Sequence, residues 1–206
     1  MSAGIVALVD FAANPADAWA ALERGNARFV AGEPTATVDP ERRRALARSQ
    51  SPFAMIFGCS DSRVAAELVF DRGLGELFVI RTAGHVVDSG VLASVEYGVG
   101  VLKVPLVVVM GHDSCGAVSA TVEALDGGTV PMGYLRDLVE RLTPSVLSAR
   151  RLGSDDIDSV ETEHVRQTAR LLAERCRSVT DAVESGRCAV VGCTYALAEG
   201  RVRRVD

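Results

Sequence analysis

Two short stretches of this chain concentrate side chains able to do chemistry. One is Gly58-Cys59-Ser60-Asp61-Ser62-Arg63, and the other is Gly111-His112-Asp113-Ser114-Cys115-Gly116. Thiolate, imidazole and carboxylate are the usual donors to a tetrahedral zinc ion. Cys59, His112 and Cys115 are therefore a candidate ligand set. Asp61 lies close enough in sequence to be a fourth ligand, or to orient whatever fills that position. Taken alone, His-x-x-Cys is a weak signal, and one Cys is more often a small buried hydrophobe. The weight comes from placement, because each stretch turns polar directly after an apolar run.

Those runs are the elements that must position the ligands. Phe53-Ala54-Met55-Ile56-Phe57 reads as a strand buried on both faces. Leu77 to Ile80, Leu106 to Met110 and Ala189-Val190-Val191 read the same way. Helical patterns fall at Ser89 to Leu102, Ala117–Leu125, Leu135–Ser148 and Val160–Val183. Strands alternating with helices predict an α/β fold around a parallel sheet. Gly200 and Val202 to Val205 suit a fifth, antiparallel edge strand. In open parallel sheets ligands bind beyond the carboxyl ends of strands, where both polar stretches fall. Upstream, Asn14-Pro15 and Asp39-Pro40 each open a helix, since Asn or Asp caps well and Pro suits the first turn. The first carries the stripe Trp19, Leu22, Phe29 and Val30, which needs a surface to cover it, a partner subunit being one candidate.

The rest of the chain excludes several classes. Its 206 residues are 48% apolar, with no Pro/Gly/Ser-rich linker, repeat or low-complexity tract, so one domain over 1–206 is expected, with 1–50 as a helical arm. A net charge of −5 argues against a duplex-binding surface. Arg42, Arg43, Arg44 and Arg48 read as a solvated helix face. Of the 22 basic residues only Lys103 is lysine. No cationic opening precedes the apolar N-terminus, and the longest apolar stretch contains Pro105 and is too short to span a bilayer. A cytoplasmic location is expected, where five cysteines are metal ligands or buried thiols rather than a disulfide framework. Cys188 and Cys193 have an odd separation, so they should face opposite sides of a strand.

Cys59, Asp61 and Arg63 match a Cys-x-Asp-x-Arg motif, and His112, Cys115 and Gly116 match His-x-x-Cys-Gly. In that order and separation they resemble the β-class carbonic anhydrases. The likeness extends to Gln50-Ser51-Pro52, to Phe78 within Glu76–Arg81 and to Tyr97 in Val95-Glu96-Tyr97. It implies a parallel sheet of order 2-1-3-4 and a homodimer as minimal unit, which can pair into a tetramer. It also implies that the N-terminal helices of one subunit wrap the other. The cofactor implied is Zn2+, the substrates carbon dioxide and bicarbonate. Zinc-bound hydroxide would attack carbon dioxide. Two thiolates donate more charge to the metal than two imidazoles, so activity should favour alkaline pH. Asp61 would orient the hydroxide and Arg63 would hold Asp61 through a bidentate pair. The cleft, at the dimer interface, would be lined by Gln50, Phe78 and Tyr97, with Ala83 in the apolar pocket and the Gly116 N–H binding substrate oxygens.

Other readings compete. The same zinc site could hydrolyse carbonyl sulfide or carbon disulfide. A closed zinc site that only holds the fold usually gathers ligands close in sequence in small proteins short of core, and this chain has core to spare. A nucleotide-binding module would need a G-x-G-x-x-G turn or a P-loop lysine, and neither is present. A metal-dependent sensor without turnover is separated by measuring turnover. His164 reads as a helix-surface residue without a role. His85, after the second strand, reads as an exposed loop histidine or a proton relay to bulk water.

Overall fold

The computed structural model describes residues 14–37 and 40–205. Asp39 and the N-terminal apolar run lie outside the described residues. Among the described residues five strands form one sheet: β1 Ala54–Cys59, β2 Leu77–Thr82, β3 Leu106–His112, β4 Ala189–Ala196 and β5 Arg201–Val205. Their order is β2-β1-β3-β4-β5, parallel except for the antiparallel pairing of β4 with β5. The expected order and edge strand are both present.

Every residue of β1 and β3 is buried, as their unbroken apolar runs require. The strand alternation sorts them into two layers. On one face Ile56, Val108, Met110 and Cys193 pack under α1 (Pro15–Ala31) and α3 (Ala66–Val69). On the other, Phe57, Val107 and Val109 meet Val165, Leu172, Val179 and Cys188. That layer comprises α4 (Ser89–Glu96), α7 (Ile157–Arg175) and α8 (Arg177–Glu184). Cys188 and Cys193 thus fall on opposite faces, and all five cysteines are free and buried. A third apolar cluster joins Cys59 and Cys115 to Val118, Leu142 and Val160, from α5 (Gly116–Leu125), α6 (Tyr134–Arg151) and α7. It roofs the carboxyl ends of β1 and β3.

Helix boundaries follow local chemistry. Asn14 caps α1 by accepting the Asp17 N–H at 2.9 Å, and Gly32 ends it with φ 72°. The pattern read as one helix over Val160–Val183 is two, because Cys176 is extended (φ −95°, ψ 102°) and the Thr180 hydroxyl donates to the freed Ala173 carbonyl at 2.6 Å. The stretch from Ser89 continues past Glu96 as a π-helical segment, Tyr97–Val101, and closes at Lys103, an exposed residue with φ 60°. α2 (Pro40–Leu46) has no buried residue, and Arg43 and Arg44 are solvated as expected, but Arg42 is half-buried and donates to the Leu74 carbonyl and to Glu76, both at 3.1 Å.

The N-terminal arm docks in part on its own chain. Of its apolar stripe, Leu22 is fully buried in the core beneath α3, Trp19 and Phe29 are half-buried against that core, and Val30 stays exposed. Asn26 fixes the docking, donating to the carbonyls of Val69 (3.1 Å) and Gly200 (2.8 Å) and accepting the Val202 N–H (2.9 Å). Asp71 anchors the following turn by accepting the Ala36 N–H at 2.7 Å and the Arg28 guanidinium at 2.5 Å. No described helix is long and apolar enough to cross a membrane.

Candidate metal centre

Cys59 ends β1, His112 ends β3, and Cys115 is the residue before α5. Strand pairing of β1 with β3 makes the first two neighbours, and the turn at Ser114 (φ 53°) brings Cys115 back under them. One donor atom of each lies within 4.8 Å of the others. A tetrahedral zinc with bonds of 2.0–2.3 Å separates its ligands by about 3.5 Å, so a small inward movement closes the set. All three side chains are buried.

The imidazole is prepared for a metal. His112 Nδ1 faces the Asp113 carbonyl at 2.8 Å, an acceptor, so Nδ1 carries the proton and donates. Nε2 is then a lone pair, and it is buried without a hydrogen-bond partner. A buried orphan acceptor is costly unless something binds it, and a cation among two sulfurs does so. The sulfurs are prepared as well. The Cys115 thiol, the adjacent His112 ring and the N–H groups of Asp61 and Gly84, the last at 3.3 Å, all favour a negative charge on Cys59, so they outweigh burial and pull its pKa down. Cys115, its proton held by Cys59 and further penalised by burial, is pushed up. A bound metal would take the place of that shared proton, and the donor set fits zinc.

Asp61 is not in the trio. Its carboxylate is turned to Arg63, which donates from N (2.9 Å) and Nε (2.9 Å) to Oδ1 and from Nη2 to Oδ2 (2.7 Å). This is the bidentate pair expected from the sequence. The Arg63 hydrogen bonds hold the Asp61 carboxyl well below the ordinary carboxylate range. Arg81 secures the backbone underneath, donating to the carbonyls of Cys59 (2.9 Å) and Asp61 (2.5 Å).

The remaining predicted residues divide between the two ends of the sheet. Ala83 follows β2 directly beside Cys59, and Gly116 opens α5 onto free space. Gln50, Phe78 and Tyr97 are elsewhere. Phe78 pairs with Met55, four residues before Cys59, which places it about 13 Å back along the sheet. Tyr97 lies against Phe78 with ring centroids 6.1 Å apart and is 45% exposed. Gln50 is exposed before β1 begins. A single chain therefore does not bring these three to its own metal ligands.

Two histidines are also placed differently from expectation. His85 and His164 are buried, not exposed, with ring centroids 4.3 Å apart. Burial lowers the pKa of both, that of His164 to about 4. His85 has no surface and so no direct path to bulk water. Glu161, one turn before His164 on α7, is buried too and accepts the His112 backbone N–H at 3.1 Å. The sequence carried a signal for both α7 residues: Val160, Val165 and Leu172 mark the buried face, and positions 161 and 164 lie inside it.

Residues 54–202 match the sequence model of the family described as carbonic anhydrase. The carbonic anhydrase of Mycolicibacterium smegmatis is 56% identical over 92% of this chain and 92% of its own length. That of Pseudomonas aeruginosa is 37% identical over 79% of this chain and 77% of its own. Among solved structures, the β-carbonic anhydrase of Coccomyxa in complex with acetazolamide superimposes with a TM-score of 0.69 at 26% identity, covering 81% of this chain and 78% of that one. One from Aspergillus fumigatus gives 0.72 at 27% identity, covering 81% of both.

Proposed function

The chain belongs to the β-class carbonic anhydrases, and from that premise we propose that it interconverts carbon dioxide and bicarbonate at a zinc ion held by Cys59, His112 and Cys115. The observation that carries the site assignment is His112: its Nδ1 proton is committed to a carbonyl, and its orphan Nε2 is buried with two cysteine sulfurs. When bound, the metal would supply a Lewis acid that lowers the pKa of water and so makes it a nucleophile.

The chain's own groups do the rest. Asp61, ionised and locked by Arg63, accepts a hydrogen bond from the attacking water and so aims its lone pair. Arg81 keeps that loop in register through the Cys59 and Asp61 carbonyls. Ala83 keeps the near wall apolar for an uncharged substrate, and the Gly116 N–H binds a substrate oxygen as charge develops. Gln50, Phe78 and Tyr97 of a second copy complete the cleft, so a homodimer is the smallest complete unit.

Metal analysis with stopped-flow carbon dioxide hydration tests this. One zinc per chain is expected, with activity lost on chelation and restored by zinc. Zinc-loaded protein that does not hydrate carbon dioxide would overturn it.

A further inference from the structure

Two buried polar residues of α7, Glu161 and His164, have no part in the chemistry described so far, yet they touch both halves of the metal centre. Glu161 Oε1 accepts the backbone N–H of His112 at 3.1 Å. One turn on, His164 Nε2 donates to the Gly84 carbonyl at 3.0 Å, and the Gly84 N–H donates to Cys59 Sγ at 3.3 Å. The two α7 side chains thus reach the strand end that carries His112 and the turn that supports Cys59. We infer that Glu161 and His164 are positioning residues that set the separation of the two metal-binding halves. The inference rests on the metal site proposed above.

The surroundings are built for this contact. A Cβ on Gly111 would lie 2.4 Å from Glu161 Oε1 and 2.6 Å from Val165 Cγ2, so only glycine lets α7 approach the end of β3. Gly84 has φ 58°, and a Cβ there would meet Ala117 Cβ at 2.7 Å, so the turn is pressed between α5 and the His164 ring. His164 is itself locked: its neutral Nδ1 accepts from the Ser145 hydroxyl at 2.9 Å, from α6. Glu161 and His164 are 1% and 6% exposed, so neither site is formed by solvent. Burying a carboxyl is expensive, and an apolar residue at 161 would serve packing better. A retained carboxyl group that meets a metal ligand's backbone has a positional reason to be there.

The test uses zinc affinity measured by competition with a chromophoric chelator, together with the visible spectrum of cobalt-substituted protein. Glu161→Leu removes the acceptor for His112, and His164→Phe keeps ring volume while removing both nitrogens. Each is expected to weaken zinc binding by about 10- to 100-fold and to shift the cobalt bands. Glu161→Gln, which keeps an acceptor oxygen, should stay within about threefold of wild type. Leu172→Ala, in the same helix and also buried, controls for general loosening and should lower the melting temperature with zinc affinity unchanged. Should Glu161→Leu not fold, His164→Phe and Glu161→Gln still decide. Affinity and cobalt spectrum unchanged in His164→Phe, or a loss in Leu172→Ala as large, would overturn the inference. Failure of wild type itself to bind zinc would instead strike the metal assignment.

Discussion

The carboxyl and amino ends of the sheet hold the two halves of one proposed active site, and they are built to opposite standards. At the carboxyl end Cys115 and His112 are fully buried and Cys59 nearly so, every donor is aimed by a backbone contact, and three helices roof the site. At the amino end Tyr97 stands 45% exposed against a half-buried Phe78, and Gln50 is in solvent. The difference separates two properties usually measured together. On the proposed reading, metal binding would be organised within one chain, whereas substrate enclosure would require a second.

The largest effect should come from the finished end. Cys115→Ser is expected to lose most of the zinc and at least about 100-fold in hydration rate, read by metal analysis and stopped flow. Full zinc retention would move the ligand set elsewhere and dissolve the comparison. Next is Asp61→Asn at the rim, which should keep zinc but lose about 100-fold in kcat, because the Arg63-held acceptor becomes an amide. Its pH signature has a defined sign. The folded carboxyl titrates below its unfolded value, so its stabilisation is complete above about pH 4 and is lost as pH falls through the depressed pKa. The melting-temperature gap between wild type and Asp61→Asn should therefore be constant from pH 5 upward and shrink in acid. A gap that instead changes through neutral pH would show that Arg63 does not hold Asp61 ionised.

The amino end should give a smaller and different loss. Phe78→Ala or Tyr97→Ala is expected to lower kcat/KM about tenfold with one zinc still bound, and dilution should reduce specific activity without releasing metal. Zinc lost together with activity in these variants would mean that the two ends are not separable. The smallest effect is predicted for Cys193→Ala, since that thiol is only buried volume: about 1 kcal/mol of stability, measured by denaturant unfolding, and an unchanged zinc content.

The finished end was also the legible one. β1 and β3 are continuous apolar runs that stop at polar ligands, so strand, burial and chemistry could all be read from the same few residues. The amino end was harder, because the resemblance named Gln50, Phe78 and Tyr97 without saying which copy they serve. Burial of His85 and His164 was misread for a physical reason. A polar residue on a helix looks solvated unless its partners are known, and those of His164 are Ser145 and the Gly84 carbonyl, 19 and 80 residues away. The break at Cys176 carried no Gly or Pro, and its compensation is a hydroxyl from Thr180. The stripe of Trp19, Leu22, Phe29 and Val30 shows that cover is needed without showing whose. Asn26, bonded to residues 69, 200 and 202, docks the helix on its own chain, while Val30 is left exposed.

Lys103 turns out to be well placed. It is exposed at the close of the π-helical segment that begins with Tyr97, and it is the single lysine among 22 basic residues. Apart from the α-amino group, an amine-reactive dye therefore has one destination on this chain. That destination is on the amino end of the sheet, away from every metal ligand. The protein thus carries its own labelling handle, and a fluorophore on it would report on the half of the cleft that zinc chemistry does not see.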